Sequence, residues 1–459
     1  MLRLWTKHSV ISEVLLSLGS NIGHRLDNLQ RAVNALGQYI AVEALAPVYE
    51  TEPWGLTEQP EFLNSCLRGR TRLDPESLLV VCKEIEINMG REPGIRWGPR
   101  LIDIDILFFN AIELKSNRVQ IPHPEIAERA FVLTPLADIA PDHHDPVSGQ
   151  SVSEMLANID RNGVKKVPPG VKMLRRPVHL AWGIKTYVMA ILNITPDSFS
   201  GDGILQSNSV IESAVEQVKQ FAKNGADIID IGGESTRPGS KPISQGSELE
   251  RVLPIIEAVR TVIDLPISID TYRSGVASEA LKIGADWIND IWGLRMDDEI
   301  ASVAAEFDCP IVLMHNRSKP KDAAQEEKLG GRYIGVEYEN LIEDISNELK
   351  ASISRAIDSN VNAANIIVDP GIGFGKTVSQ NLHLMNQLDR LTSAGYPLLV
   401  GPSRKSFIGY TLNLPIDQRL EGTAAAVALA IDRGADIIRV HDVKAMSRVA
   451  RMSDAIIRV

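Results

Sequence analysis

Val188-Met189-Ala190-Ile191-Leu192-Asn193-Ile194 is the first of eight short apolar runs in the C-terminal part of the chain, with helical stretches between them. The others are Ile228–Ile231, Ile267–Ile269, Trp287–Ile291, Ile311–Met314, Ile366–Val368, Leu398–Val400 and Ile437–Val440. Brief apolar runs alternating with helices are the pattern of buried parallel strands, and eight of them predict an α/β (β/α)8 TIM barrel. A doubly wound open sheet is the structural alternative. Each run ends in residues capable of chemistry: Asn193, Glu234 with Thr236 and Arg237, Asp270, Asn289, His315, Asp369, Ser403-Arg404-Lys405, and Arg439 with His441. Strand ends of a barrel converge on one face, so these side chains are expected to ring one pocket.

Upstream, the stretch from Arg161-Asn162-Gly163 through Pro168-Pro169-Gly170 to Arg175-Arg176-Pro177 is too rich in Pro, Gly and basic residues to hold a helix, and reads as a linker. Before it, strands around Val14, Val42 to Tyr49, Phe62 to Arg72 and Ile102 to Phe109 mix with helices near Leu26 to Leu36 and Pro75 to Asn88. That is an α+β pattern of ferredoxin-like size. The expected division is therefore an N-terminal domain over 1–165, a linker over 166–174 and a barrel over 175–459.

Composition bounds the function. The 459 residues amount to two or three domains, and 44% hydrophobic and 23% charged residues are globular values. With 48 Lys and Arg against 59 Asp and Glu the net charge is −11, so nucleic acid is not an expected partner. No run of 18 apolar residues or signal peptide is read, so no membrane is expected. Cys66, Cys82 and Cys309 lack any Cys-x-x-Cys spacing and read as buried thiols of a reducing cytoplasm.

In the N-terminal domain, Asp103 and Asp105 alternate within Leu101-Ile102-Asp103-Ile104-Asp105-Ile106-Leu107. The period of two puts both carboxylates on one strand face, about 6.5 Å apart. Read alone, they serve equally as two solvated acids on an exposed face. With Arg91, Arg96 and Arg100 just upstream, they suit Mg²⁺ and a triphosphate. No Walker motif is present: Asp369-Pro370-Gly371-Ile372-Gly373-Phe374-Gly375-Lys376-Thr377 has Pro370 where that loop requires Gly, and reads as a barrel βα loop. His315 reads as a pocket-floor residue rather than a metal ligand. In the barrel, Asp270, Asn289 and Asp369 end three strands, and a set of carboxylates and an amide can pair with the aminopyrimidine edge of a flat heterocycle. Singly, Asp270 reads equally as a helix cap and Asn289 as a partner of loop backbone. Cations at strands seven and eight point to a phosphorylated substrate.

Gly19-Ser20-Asn21, Tyr49-Glu50-Thr51-Glu52-Pro53-Trp54-Gly55, Gln59-Pro60-Glu61-Phe62-Leu63-Asn64, Arg96-Trp97-Gly98-Pro99-Arg100 with the Asp pair, and Pro122-His123-Pro124 through Arg129 and Phe131 resemble the 6-hydroxymethyl-7,8-dihydropterin pyrophosphokinases. The resemblance implies that Asp103 and Asp105 hold two Mg²⁺ ions, and that Arg91, Arg100, Arg118, His123 and Arg129 contact ATP with Glu86 beside it. It also places a pterin between Phe62 and Phe131, read by Asn64 and the backbone near Thr51 to Trp54. The chain departs from many relatives at Glu92-Pro93-Gly94, where a second basic residue is common.

Asn193-Ile194-Thr195-Pro196-Asp197-Ser198-Phe199-Ser200, Gly232-Gly233-Glu234-Ser235-Thr236-Arg237-Pro238-Gly239, the Asp369–Lys376 loop, Ser403-Arg404-Lys405-Ser406 and Arg439-Val440-His441-Asp442-Val443 resemble the dihydropteroate synthases. By that resemblance Asp270, Asn289, Asp369 and Lys405 bind a pterin. Asn193, Arg439 and His441 hold pyrophosphate, Asn193 through Mg²⁺. Phe199, Thr236, Arg237, Pro238, Phe374 and Ser406 form a p-aminobenzoate pocket, and the barrel is the part that forms a homodimer. The pyrophosphorylated product of the first reaction is the substrate of the second, which implies a bifunctional folate-biosynthesis enzyme. Two alternatives remain at this level: a methyltetrahydrofolate-binding barrel, which the Ser403–Ser406 loop and the Arg439–Val443 ending disfavour, and a non-catalytic nucleotide- or RNA-binding N-terminal module, which the intact Asp pair disfavours.

Overall fold

The computed structural model describes residues 10–53, 58–91, 98–168, 174–194, 207–235, 242–319, 322–334, 337–392 and 395–458. By its contacts the chain divides into two units, one ending at Ile184 and one beginning at Lys185.

The first unit is built on an antiparallel sheet of β1 (Ser12–Ser20), β2 (Ile40–Leu45), β3 (Tyr49–Thr51), β4 (Phe62–Thr71), β5 (Asp103–Phe109) and, beyond the short hairpin β6 (Leu114–Lys115) and β7 (Gln120–Ile121), β8 (Val164–Lys166). Its order is β5-β1-β4-β3-β8, with β2 also paired to β4. Two helices, Arg25–Leu36 and Pro75–Asn88, connect β1 to β2 and β4 to β5, which is the ferredoxin-like arrangement. Each helix presents one apolar stripe: Leu29, Ala32, Val33 and Leu36 on the first, Leu78, Val81, Cys82 and Ile85 on the second. These pack on Val14, Leu16, Leu18, Ile104 and Ile106. The opposite face, with Leu15, Cys66, Leu107 and, past the register shift between β1 and β5, Phe108, is covered by the helix Ala130–Ile139. The expected strand from Val42 to Tyr49 is two strands, β2 and β3, separated at Pro47, which has no N–H to give a ladder.

Described residues of the segment read as a linker lie against the first unit. Val164–Lys166 pairs with β3, Leu174 is buried in the N-terminal core, and Arg175 N donates to Gln30 Oε1 at 2.7 Å. Its few apolar residues are enough to hold it against the sheet.

The second unit is the barrel. Its strands are β9 (Tyr187–Asn193), β10 (Ile228–Gly232), β11 (Ile267–Asp270), β12 (Trp287–Asp290), β13 (Ile311–Met314), then, after the hairpin β14 (Ala323–Glu326) and β15 (Gly330–Tyr333), β16 (Ile366–Asp369), β17 (Leu399–Val400) and β18 (Ile437–Val440). They run parallel in the order β16-β13-β12-β11-β10-β9-β18-β17, and a bridge between Val368 and Leu398 joins the ends of that order. The open sheet is thereby set aside. Alternate residues such as Ile229, Ile231, Ile267, Ile269, Ile288, Ile311, Leu313, Ile366, Val368, Ile438 and Val440 join the apolar layer under the helices. The other parity, including Asp230, Asp270, Asn289, Asp369 and Arg439, faces the barrel axis.

Candidate functional site

In the first unit the two carboxylates and the aromatic pair meet on one sheet face. The register aligns Asp103 with Gly19 and Asp105 with Ser17, and Gly19 in turn with Asn64 on β4. Small residues on the central strand keep the floor between them open. A Cβ at Gly19 would come within 2.9 Å of Asn64 Oδ1, so only glycine leaves the Asn64 amide in place. Asn64 donates to Thr51 Oγ1 at 2.6 Å. Thr51, Phe62, Asn64, Arg100, Asp103, Asp105, His123, Arg129 and Phe131 all line one cleft.

The charges in that cleft are balanced within the protein. Asp103 accepts from Arg91 at 2.9 Å and from Arg100 at 2.5 Å, while Asp105 lies 3.7 Å from Arg129 and 4.0 Å from His123. Burial, with Asp103 adding to it, raises the Asp105 carboxyl above the usual range; burial lowers the His123 imidazole. Two carboxylates on one strand face are a donor set that Mg²⁺ accepts when phosphate oxygens complete the sphere.

Two residues expected beside ATP stand differently. Glu86 continues the buried stripe of its helix, accepts from Ile104 N at 2.8 Å and Lys83 at 2.7 Å, and pairs with Arg91. It therefore orients the arginine rather than facing the cleft. Arg118 is exposed on the β6–β7 hairpin and does not line the cleft, because the hairpin turn points it into solvent. Trp54 lies outside the described residues.

At the barrel's C-terminal end, Arg439 joins three strands. Its Nε donates to Asp230 Oδ2 and its Nη2 to Asp270 Oδ2, each at 2.6 Å. Asn289 Nδ2 donates to the same Asp230 oxygen at 3.1 Å. Asp369 Oδ1 accepts from Gly371 N at 2.7 Å, and burial pushes its carboxyl up to about 6. Burial likewise raises Asp270 against the pull of Arg439. Lys405 holds its ammonium 4.0 Å from the centroid of Phe374. His441 Nδ1 is 3.1 Å from Ser403 Oγ, and burial, reinforced by Arg439, Arg404 and Lys405, lowers its imidazole to about 3. Asn193 closes β9, and Ser406 opens the helix Ser406–Leu412 immediately after Lys405. Phe199, Thr236, Arg237 and Pro238 lie outside the described residues.

The Asp369–Lys376 stretch is a βα loop, as its Pro370 predicts. Lys376 turns inward, fully buried, to Gly371 O, Phe374 O and His315 Nδ1 at 3.0, 3.1 and 3.0 Å, and burial lowers its ammonium to about 7. His315 is thus tied to this loop, in a pocket floor. Among the described residues no group of three or more His, Cys, Asp or Glu is arranged to hold a metal. The three cysteines are buried and unbridged.

Sequence reasoning missed Asp230. It lies within an apolar run instead of at its end, and its one signal is its parity with Gly232 and Asp270 in Ile228-Ile229-Asp230-Ile231-Gly232.

Comparisons with known proteins match both halves. Residues 15–141 match the model of 7,8-dihydro-6-hydroxymethylpterin-pyrophosphokinase, and residues 189–441 that of pterin binding enzymes. A folate synthesis bifunctional protein of Arabidopsis thaliana is 38% identical over 97% of this chain and 96% of its own length. The chain belongs to the bifunctional folate-synthesis family. It joins a hydroxymethyldihydropterin pyrophosphokinase to a dihydropteroate synthase, with a pterin, ATP and p-aminobenzoate as small-molecule substrates. A second Arabidopsis relative, named as mitochondrial, is 39% identical over 97% of this chain and 83% of its own. The barrel alone resembles a dihydropteroate synthase of Clostridium difficile solved in the presence of pteroic acid, at 43% identity and TM-score 0.55, covering 61% of this chain and 99% of that one. Among the described residues no helix is long and apolar enough to cross a membrane.

Proposed function

We propose that the two clefts divide the family's reactions as follows. In the first unit ATP lies over Asp103 and Asp105, with Arg91, Arg100, His123 and Arg129 around its phosphates and the pterin between Phe62 and Phe131, its polar edge on Asn64. Mg²⁺, held by Asp103 and Asp105, would supply charge neutralisation on the triphosphate. Arg91 and Arg100 then exchange a carboxylate partner for phosphate oxygens, and the pterin hydroxymethyl oxygen takes the β,γ-pyrophosphoryl group as AMP leaves. Positioning and cationic charge carry this step. Arg118 and Glu86 act from outside the cleft, Glu86 by aiming Arg91.

In the barrel, Asp270, Asn289, Asp369 and Lys405 hold the pterin. Arg439 and His441 hold its pyrophosphate, and Asn193 would hold Mg²⁺, which would supply charge neutralisation on that group. Phe374 and Ser406, with Phe199, Thr236, Arg237 and Pro238, form the p-aminobenzoate pocket. The methylene C–O bond breaks with its electron pair leaving on pyrophosphate. The aryl amine nitrogen bonds to that carbon and then loses a proton. Nη1 of Arg439 has no hydrogen-bond partner among the described residues, which supports an anion-binding role for its remaining edge.

The observation that carries this reading is the convergence of Asp270, Asn289, Asp369 and Arg439 on one end of the barrel axis. Incubation with hydroxymethyldihydropterin, ATP and Mg²⁺, with and without p-aminobenzoate, tests it: AMP should form in both cases and dihydropteroate only in the second.

We assign the protein to the cytoplasm, which suits its unbridged thiols, with the pyrophosphokinase domain over 1–184 and the synthase over 185–459. Homodimerisation through the barrel is supported by Leu420, Leu429, Met452 and Ile456, exposed apolar residues on the packed helices Leu420–Asp432 and Val443–Ile457. Sedimentation should give twice the chain mass, and charged substitutions at Leu429 and Met452 should halve it.

A further inference from the structure

Asp230 is wholly buried, one strand layer beneath Asp270 and Asn289, and belongs to none of the substrate contacts above. Its access to that layer comes from Gly232, directly above it on β10, which has no side chain to intervene. A Cβ there would stand 3.3 Å from Asp270 Cβ. Asp230 Oδ2 accepts from Arg439 Nε at 2.6 Å and from Asn289 Nδ2 at 3.1 Å, while its Oδ1 is buried without a partner.

The chemistry of that contact fixes the Asn289 amide. As ion-pair partner of Arg439, Asp230 is a carboxylate and can only accept. Asn289 must therefore turn Nδ2 toward it, because the flipped amide would set Oδ1 against a buried carboxylate oxygen. Two acceptors facing each other in a buried place, with the amide N–H turned away, is the arrangement that folding disfavours most among amide orientations. Nδ2 carries a second N–H, and no protein donor reaches Oδ1 among the described residues. The amide thus offers a ligand one donor and one acceptor in a fixed order. An aminopyrimidine edge, a ring nitrogen beside an exocyclic amine, offers the complementary pair.

We infer that Asp230 is a specificity-determining positioning residue of the synthase: by locking the orientation of Asn289 it makes the barrel select heterocycles that carry an amine next to a ring nitrogen. The inference rests on the pterin reading of the barrel site. Asp230 acts through Asn289 and touches no substrate, and with Asp230 on its Nε, Arg439 turns Nη2 to Asp270.

The test is substrate preference, which a merely structural role would leave unchanged. The kcat/KM for condensation with p-aminobenzoate is measured for the pterin methyl pyrophosphate and for its counterpart lacking the exocyclic amine. The pyrophosphokinase does not enter this assay. The wild-type chain should prefer the amine-bearing substrate by about 10²-fold or more, as sites built to bond an N–H do. Asp230→Asn, which can donate to Asn289 and release its flip, should lose at least about tenfold of that preference. The same substitution should change the preference no further in an Asn289→Leu background. Asp230→Ala, which removes the acceptor from Asn289 and leaves Arg439 paired with Asp270, serves if Asp230→Asn does not fold; its preference should fall in the same direction. An unchanged ratio in whichever variant folds would overturn the inference while leaving the pterin reading intact. A wild-type chain with no preference would overturn both.

Discussion

Lys405 and Phe374 come from different βα loops, and the ammonium of one rests 4.0 Å from the ring centroid of the other. The contact ties the loop after β17 to the loop after β16. Gly373 makes room for it, since a Cβ there would stand 2.8 Å from Lys405 Cδ on a backbone with φ of 80°. Lys405→Ala removes both the cation and the tether. Dihydropteroate formation should fall by roughly 10²-fold or more while AMP release is unchanged. A folded variant that stops releasing AMP would show that the two activities are not separable in this way.

Asp103→Ala should act in the opposite half. It removes one of two carboxylates available to Mg²⁺, takes the carboxylate from Arg100 and leaves Arg91 paired with Glu86 alone. Pyrophosphokinase turnover should drop by roughly 10³-fold, and synthase turnover on supplied pterin pyrophosphate should persist. Separate assays of AMP and dihydropteroate in one preparation check both statements.

These expectations were accessible from sequence because function sits at strand ends. All eight apolar runs are barrel strands within about a residue, and Asp270, Asn289, Asp369 and Arg439 occupy the ends that the alternation assigns. What was not legible has two physical sources. Asp230 is a charge inside an apolar strand, and only three-dimensional layering shows that Arg439 and Asn289 reach it. The packing of the segment around 164–175 is the second: composition weighs its Pro and Arg heavily, whereas one buried Leu174 and a three-residue edge strand hold it against the first unit.

The barrel's acid stability should carry the signature of His315. Burial, and then the charge of Lys376, lower its imidazole to about 4 from an ordinary 6.5. The folded state then binds fewer protons than the unfolded chain between those values. Its contribution is complete above about pH 6.5 and is lost as pH falls through about 4, by at most about 3 kcal/mol. Hydrogen exchange of the β13 amides across that window should follow this slope, and His315→Gln should flatten it. A slope unchanged in the variant would assign the acid sensitivity elsewhere.

Gly371 is the position in the same loop with least tolerance. Its φ is 69°, and a Cβ would lie 1.8 Å from the backbone oxygen of His315, which cannot move without displacing β13's end. Gly371→Ala should destabilise the barrel by about 3 kcal/mol or more, against about 1 kcal/mol for Gly→Ala at an unstrained helical site. Thermal unfolding of the full chain should show an earlier transition for the barrel, with pyrophosphokinase activity outlasting synthase activity on heating.

The unit boundary gives the last expectation. A fragment ending at residue 165 keeps only part of β8 and loses Leu174, the Arg175–Gln30 hydrogen bond and Pro177, whose ring atoms stand where a Cβ on Gly37 would fall. Burying one leucine contributes about 1.5–3 kcal/mol, and for a unit of this size each kcal/mol moves the melting temperature by about 2–4 °C. A fragment ending at Ile184 should therefore melt roughly 10 °C above one ending at 165, and equal melting points would restore the shorter domain. With the longer fragment in hand, mixing it with 185–459 tests whether the shared intermediate passes through solvent. If it does, the steady rate of dihydropteroate formation should approach that of the intact chain at equal concentration. A large rate loss on splitting, with each half fully active alone, would instead require direct transfer between the two sites.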